Sequence, residues 1–140
     1  MTSKVKTTEY ALVEKVLEFF GKEGYRTRVE VANMGQSIDI VATKGRWVTV
    51  IEAKIKDWRR AMRQCQAHEQ VADYICLAVA LKSIPDSLLK DASKLGYGII
   101  HYQPGTKSAK WVLHPSINKN IWRPQRGKWS QHLREVPYVN

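Results

Sequence analysis

The chain contains no run of about 18 apolar residues, so nothing in it reads as a membrane-spanning helix. No apolar stretch follows the first lysines either, because Glu14, Lys15 and Glu18 interrupt the hydrophobic positions. No secretory leader is expected, and the protein is expected in the cytoplasm. Cysteine is scarce: Cys65 and Cys76 lie among apolar neighbours without C-x-x-C spacing, which predicts two buried thiols, not a disulfide or a zinc site. There is no internal repeat and no low-complexity segment. Acid is short as well, with 13 Asp and Glu against 23 Lys and Arg, a net charge of +10 that points to a polyanionic partner.

What remains is ordinary for one globular core: 140 residues, 44% hydrophobic and 26% charged. The charge is uneven. Residues 54–63 and residues 115–140 each carry five basic side chains against a single acid, whereas the rest of the chain is nearly neutral.

In Thr8–Phe20, Val13, Val16, Leu17 and Phe20 recur at helical spacing behind a Thr8 cap and a Glu9 first-turn charge. Three runs rich in β-branched and aromatic residues follow, Tyr25–Ala32, Gln36–Thr43 and Arg46–Lys54, separated by short Gly-containing turns. They predict sequential antiparallel strands. Trp58–Ala72 returns to helical spacing, Tyr74–Ala80 is a continuous apolar run suited to a covered strand, and a short helix runs from Pro85 to Gly96. Tyr97–Tyr102 and Lys110–His114 complete the order αβββαβαββ. The fold class is therefore α/β, a central mixed sheet flanked by helices with extra strands toward the C-terminus. The expected division is a domain over 1–114 and a basic, Trp-containing arm over 115–140.

Chemistry concentrates in Asp39 and in Glu52-Ala53-Lys54. If Lys44–Gly45 forms a two-residue turn, Asp39 sits opposite Val50 and diagonal to Glu52, and strand alternation sends Asp39, Glu52 and Lys54 to one face. Two carboxylates and an amine within about 7–8 Å are costly without a cation. Oxygen-only donors favour Mg²⁺ or Mn²⁺, since no His or Cys joins them at ligand spacing. Such an ion would hold a phosphate oxygen and acidify an attacking water while Lys54 oriented that water or offset developing charge, which is a route to phosphodiester hydrolysis. An E-x-K triplet alone says little; its parity with Asp39 and the basic helix behind it give it weight.

These residues resemble the PD-(D/E)xK nuclease superfamily of restriction-endonuclease-like and Holliday-junction-resolvase-like enzymes. Ser37–Val41 looks like its acidic strand, without the Pro, and Val50–Lys54 like its E-x-K strand; the αβββαβ order of Thr8–Ala80 matches its core. The resemblance implies Asp39 and Glu52 as metal ligands, the Ala53 carbonyl as a third, and Lys54 as the catalytic lysine. It also implies a first-helix glutamate, for which Glu14 is the candidate, a surface charge being the alternative. Gln64 occupies the glutamine of a Q-x-x-x-Y motif in which His68 replaces the tyrosine; His68 either contacts a phosphate or serves helix packing. Glu30 is a second ligand or an edge charge, and His101, His114 and His132 show no ligand spacing.

DNA contacts are expected from Lys56, Arg59, Arg60, Arg63 and His68, and from Arg123, Arg126 and Lys128 of the arm. Trp122 and Trp129 either stack on bases or, as preferred, pack against the domain. The resulting expectation is a Mg²⁺-dependent endodeoxyribonuclease, as a two-fold homodimer if both strands are cut. The alternative is a catalytically silent nucleic-acid-binding subunit of a larger complex.

Overall fold

Two tight hairpins organise the first half of the chain. In the computed structural model, which describes residues 8–140, strand β1 (Arg26–Asn33) turns through Met34 and Gly35 into β2 (Gln36–Lys44), and β2 turns through Gly45 and Arg46 into β3 (Trp47–Lys54). Met34 and Gly35 both have positive φ, 51° and 78°, as a two-residue type I′ turn demands. Gly45, at φ 58°, leads the second turn. Helix α1 (Glu9–Lys22) precedes them, with the Thr8 hydroxyl accepting from the Ala11 amide at 3.0 Å as its cap. Lys4 and Lys6, on which the leader argument partly rested, lie outside the described residues.

After β3 the order is α2 (Trp58–Gln66), β4 (Tyr74–Val79), α3 (Asp86–Leu95), β5 (Gly98–His101), β6 (Lys110–Leu113) and α4 (Arg123–Arg134). The six strands form one open mixed sheet in sequence order, antiparallel from β1 to β3, parallel from β3 to β5, and antiparallel again at β6. Helices cover both faces. Leu12, Val16 and Phe20 of α1 pack on Ile40, Ile51, Cys76 and Ile100, while α2, α3 and α4 cover Val41, Val50, Leu77 and Ile99 on the other side. A sheet buried on both faces explains why β4 reads as an unbroken apolar run. Both cysteines are buried and free, as their neighbours predicted. Among the described residues, no helix is long and apolar enough to cross a membrane.

Two sequence expectations need correction. Helix α2 ends at Gln66 and does not continue to Ala72. Beyond it the backbone tightens into i→i+3 bonds, Ala67 to Gln64 and His68 to Cys65, and the freed carbonyls are met from elsewhere in the chain. The Asn118 amide donates to the Glu69 and Ala72 carbonyls at 2.5 and 2.8 Å, and Asn33 donates to Ala67. Tertiary hydrogen bonds thus override helical periodicity.

The second correction concerns residues 115–140, which do not form an extended arm. They contain α4, whose Trp129 and Leu133 are buried in the core and whose Trp129 indole donates to the Ala32 carbonyl at 3.0 Å. Trp129 therefore packs, as preferred, whereas Trp122 is exposed. The last residues return to β1: Val139 donates to the Thr27 carbonyl at 2.8 Å, and the Asn140 side chain accepts from the Thr27 amide. The outer edge of β1 is thereby capped at Thr27.

Candidate metal centre

Where β1, β2 and β3 run side by side, the ladder breaks at one position. Val29 pairs with Ile40 and Val31 with Ile38, but Glu30 and Asp39 between them do not pair. Glu30 adopts φ 51°, a left-handed conformation that costs a β-strand glutamate free energy. Across this break the alternation slips: Val29 and Ile40 belong to the α1 face, Val31 and Ile38 to the opposite one. Pairing of β2 with β3 likewise ends at Ile40 and Ile51. Asp39 is therefore released from the ladder, and its Oδ2 accepts the Ala53 amide at 2.8 Å, closing the backbone gap with a side chain.

The observed register corrects the expected turn. Because Gly45 and Arg46, and not Lys44 and Gly45, form the turn, each partner moves by two residues. One step beyond the last ladder pair, Asp39 lies across from Glu52 and not from Val50. Each carboxyl lies close enough to the other to shift its titration. The single shared face is also corrected: Glu52 is held from the α2 side, whereas the Lys54 ammonium reaches Glu9 Oε1 of α1 at 3.3 Å. The three groups surround the ends of β2 and β3, with the Lys54 charge acting on both carboxyls.

Glu52 is 1% exposed, and its Oε1 faces His68 Nε2 at 2.8 Å. Burial drives the His68 pKa down to about 4, so the ring is neutral at physiological pH and this contact is a hydrogen bond, not an ion pair. Burial also raises Glu52. Asp39 is pushed up to about 7, first by burial and then by Glu52, against the opposing pull of the Ala53 amide and Lys54. Two neighbouring carboxyls cannot both ionise cheaply, so Asp39 keeps its proton to a higher pH than an isolated carboxyl.

A stability prediction follows. Unfolded, Asp39 titrates near the ordinary 3.8; folded, near 7, so the native state holds an extra proton between those values. The cost of the pair is absent below the unfolded value, grows as pH rises, and is complete above about 7. Asp39→Asn keeps the acceptor for Ala53 and supplies Glu52 with an N–H. It is expected to raise the melting temperature at pH 8 relative to the wild type and to give little gain at pH 4; equal shifts at both values would refute the raised Asp39 pKa.

The donor set suits a small hard cation. Ala53 engages Asp39 through Oδ2 and His68 engages Glu52 through Oε1, and the other oxygen of each, as single-oxygen carboxylate donors complemented by water, would suit Mg²⁺ or Mn²⁺ better than a cation that requires bidentate carboxylates. Among the described residues, three or more His, Cys, Asp or Glu side chains do not converge at ligand spacing; the unit is a pair. Glu14 and Glu30 line the same groove of about 750 Å³ as Asp39, between α1 and the β1–β2 hairpin, together with Glu9 and Glu18. Gln64 is half-buried on α2, its Oε1 has no partner, and it makes no hydrogen bond to the pair.

The basic residues divide into two groups. Lys56 just ahead of α2 and Arg59, Arg60 and Arg63 along it are exposed, with the Arg59 guanidinium 4.2 Å from the Trp58 ring centre, and Arg123 and Lys128 are exposed on α4. Arg126 and His68 are not available to a phosphate as expected. Arg126 binds the Val71 carbonyl at 2.9 Å and Asp73 Oδ2 at 3.2 Å, and Asp73 in turn accepts the Val48 amide. His68 is fully buried. Among the other histidines, His101 is tied to the Leu81 carbonyl and His114 lies against Trp111. Sequence reasoning missed Glu9 and Asn33, which partner Lys54 and His68. Glu9 carried only the signal of a first-turn charge, and Asn33 that of a turn residue.

No family model matches the chain, and it has no significant match among curated proteins. Solved structures do resemble it. A protein of unknown function from Silicibacter pomeroyi aligns with TM-score 0.71 and 18% identity over 94% of this chain and 86% of its own. A second protein of unknown function aligns with TM-score 0.57 and 16% identity, covering 72% and 62%. An fdxN element excision controlling factor protein from Anabaena variabilis aligns with TM-score 0.53 and 16% identity, covering 74% and 97%. At these identities the likeness is one of fold.

Proposed function

We propose that the protein is a Mg²⁺- or Mn²⁺-dependent endonuclease that hydrolyses DNA phosphodiester bonds, built on a restriction-endonuclease-like core. The observation that carries this reading is that Asp39, freed from the ladder and bound to the Ala53 amide, lies across from Glu52, with each carboxyl perturbing the other and Lys54 within electrostatic reach of both. A fold does not gain stability by holding two carboxyls together in a half-buried site; a cation removes the conflict. When bound, that ion would supply a Lewis acid for a phosphate oxygen and an acidified water.

The remaining work falls to the chain's own residues. Asp39 Oδ1 and Glu52 Oε2, with the Ala53 carbonyl, would hold the ion. Lys54, at 3.3 Å from Glu9, is kept near the carboxyls, where its ammonium can orient a water or offset charge on the phosphate. Lys56, Arg59, Arg60 and Arg63 begin directly after Lys54 and are free to pair with flanking phosphates. The acid-lined groove beside Asp39 repels a phosphate in the absence of a cation, so cleavage is expected to depend on metal. Cutting both strands would need two such sites and hence a two-fold dimer.

The test is incubation of the purified protein with supercoiled, branched and single-stranded DNA in Mg²⁺, in Mn²⁺ and in EDTA. Nicking in either metal and none in EDTA is the expected result. Salt-sensitive binding without cleavage in any metal would favour a nucleic-acid-binding subunit instead.

A further inference from the structure

His68 lies 16 residues from Glu52 in sequence and is 0% exposed, yet it gives its ring to a single purpose. Its Nε2 is 2.8 Å from Glu52 Oε1 and its Nδ1 is 3.0 Å from Asn33 Nδ2. The same Asn33 nitrogen faces the Ala67 carbonyl at 3.4 Å, and a carbonyl only accepts. That nitrogen must therefore be the amide NH₂ end, with one hydrogen toward Ala67 and one toward the ring. Nδ1 then has to accept, which leaves the ring proton on Nε2, aimed at Glu52.

Resting on the metal-site reading above, we propose that His68, with its tautomer set by Asn33, is a positioning residue that holds Glu52 as a one-oxygen metal ligand. The backbone fixes both ends of this chain. Asn33 closes the β1–β2 hairpin opposite Gln36, and the early end of α2 at Gln66 turns His68 inward. The donated hydrogen bond occupies Oε1, stops the carboxylate from rotating into a bidentate pose, and leaves Oε2 for the ion. Residues that hold a metal ligand by hydrogen bonding typically contribute about 10–100-fold to metal affinity.

The experiment measures Mn²⁺ binding by electron paramagnetic resonance in the protein without DNA, for the wild type, His68→Gln and His68→Phe. Glutamine can present an N–H where Nε2 stood; phenylalanine keeps the ring and loses the donor. His68→Phe is expected to weaken Mn²⁺ about 10–100-fold, and His68→Gln to stay close to the wild type, with DNA affinity in EDTA unchanged in both. Ring ¹⁵N shifts of the wild type are expected to show His68 as the neutral Nε2–H tautomer at pH 7. If His68→Phe fails to fold, Asn33→Leu carries the test, since it frees the tautomer and should weaken Mn²⁺ in the same direction. Mn²⁺ affinity undiminished by loss of the donor, or a proton found on Nδ1, overturns the positioning role while leaving the metal reading intact. A wild type that takes up no Mn²⁺ overturns both.

Discussion

Asp39→Ala and Lys54→Ala are each expected to reduce metal-dependent DNA cleavage by at least about 100-fold, the scale seen when one electrostatic contact to a reacting centre is removed. The two losses should differ in kind. Asp39→Ala takes away one of the two neighbouring carboxyls at the break in the ladder, together with the acceptor for the Ala53 amide, so metal affinity and cleavage should fall together. Lys54→Ala leaves the carboxyl pair in place and removes only the ammonium beside it. Its metal affinity should hold or rise while turnover is lost. Both variants should still bind DNA in EDTA, because the exposed Lys56, Arg59, Arg60 and Arg63 are untouched. Plasmid nicking and Mn²⁺ titration on the same preparations separate these outcomes. Undiminished cleavage by Asp39→Ala would falsify the nuclease assignment.

The largest expected effect on stability comes from residues 115–140. Trp129→Ala should destabilise the protein by about 3–5 kcal/mol, the usual range for emptying a large aromatic site in a core. Trp129 is 3% exposed, packs in the same cluster as Val31, Trp58 and Leu133, and donates to the Ala32 carbonyl at 3.0 Å. For a domain of this length the melting temperature should fall by roughly 10 °C or more. Trp122→Ala, at a site 56% exposed, should change it little. Urea titration of the two variants checks the contrast. A wild-type midpoint for Trp129→Ala would mean that α4 is not part of the cooperative unit.

The helices and strands that carry a strong local period were legible in the sequence. Val13, Val16, Leu17 and Phe20 marked α1, and the apolar run of Tyr74–Val79 marked a strand covered on both sides. Helix α4 was not legible. Its buried face is only Trp129 and Leu133, one turn apart, and Pro124 and Gly127 weaken its helical signal; the helix forms because the sheet offers those two side chains a place to be buried. The end of α2 was hidden for the same reason, since Asn33 and Asn118, far off in sequence, satisfy the carbonyls released there.

The candidate site divides along the same line. Parity along β2 and β3 drew attention to Asp39 and Glu52. A turn misplaced by one residue moves every partner by two, which brings Asp39 across from Glu52 and not Val50, and the break at Glu30 and Asp39, which no local pattern announces, undoes the expected single face.

By itself, then, the sequence determined an α/β chain with one covered sheet, a pair of acids and a lysine on adjacent strands, and a basic segment beginning at that lysine, because those features depend on local period and strand alternation. Only the tertiary structure decided that Asp39 leaves the ladder to bind the Ala53 amide beside Glu52, that Lys54 is met by Glu9, that Arg126 is held internally, and that Asn33 and His68 close on Glu52 from behind. Those contacts join residues between 14 and 55 positions apart. Whether such groups meet depends on where helices stop and where a ladder breaks, and both are set by burial and by hydrogen bonds that span the fold.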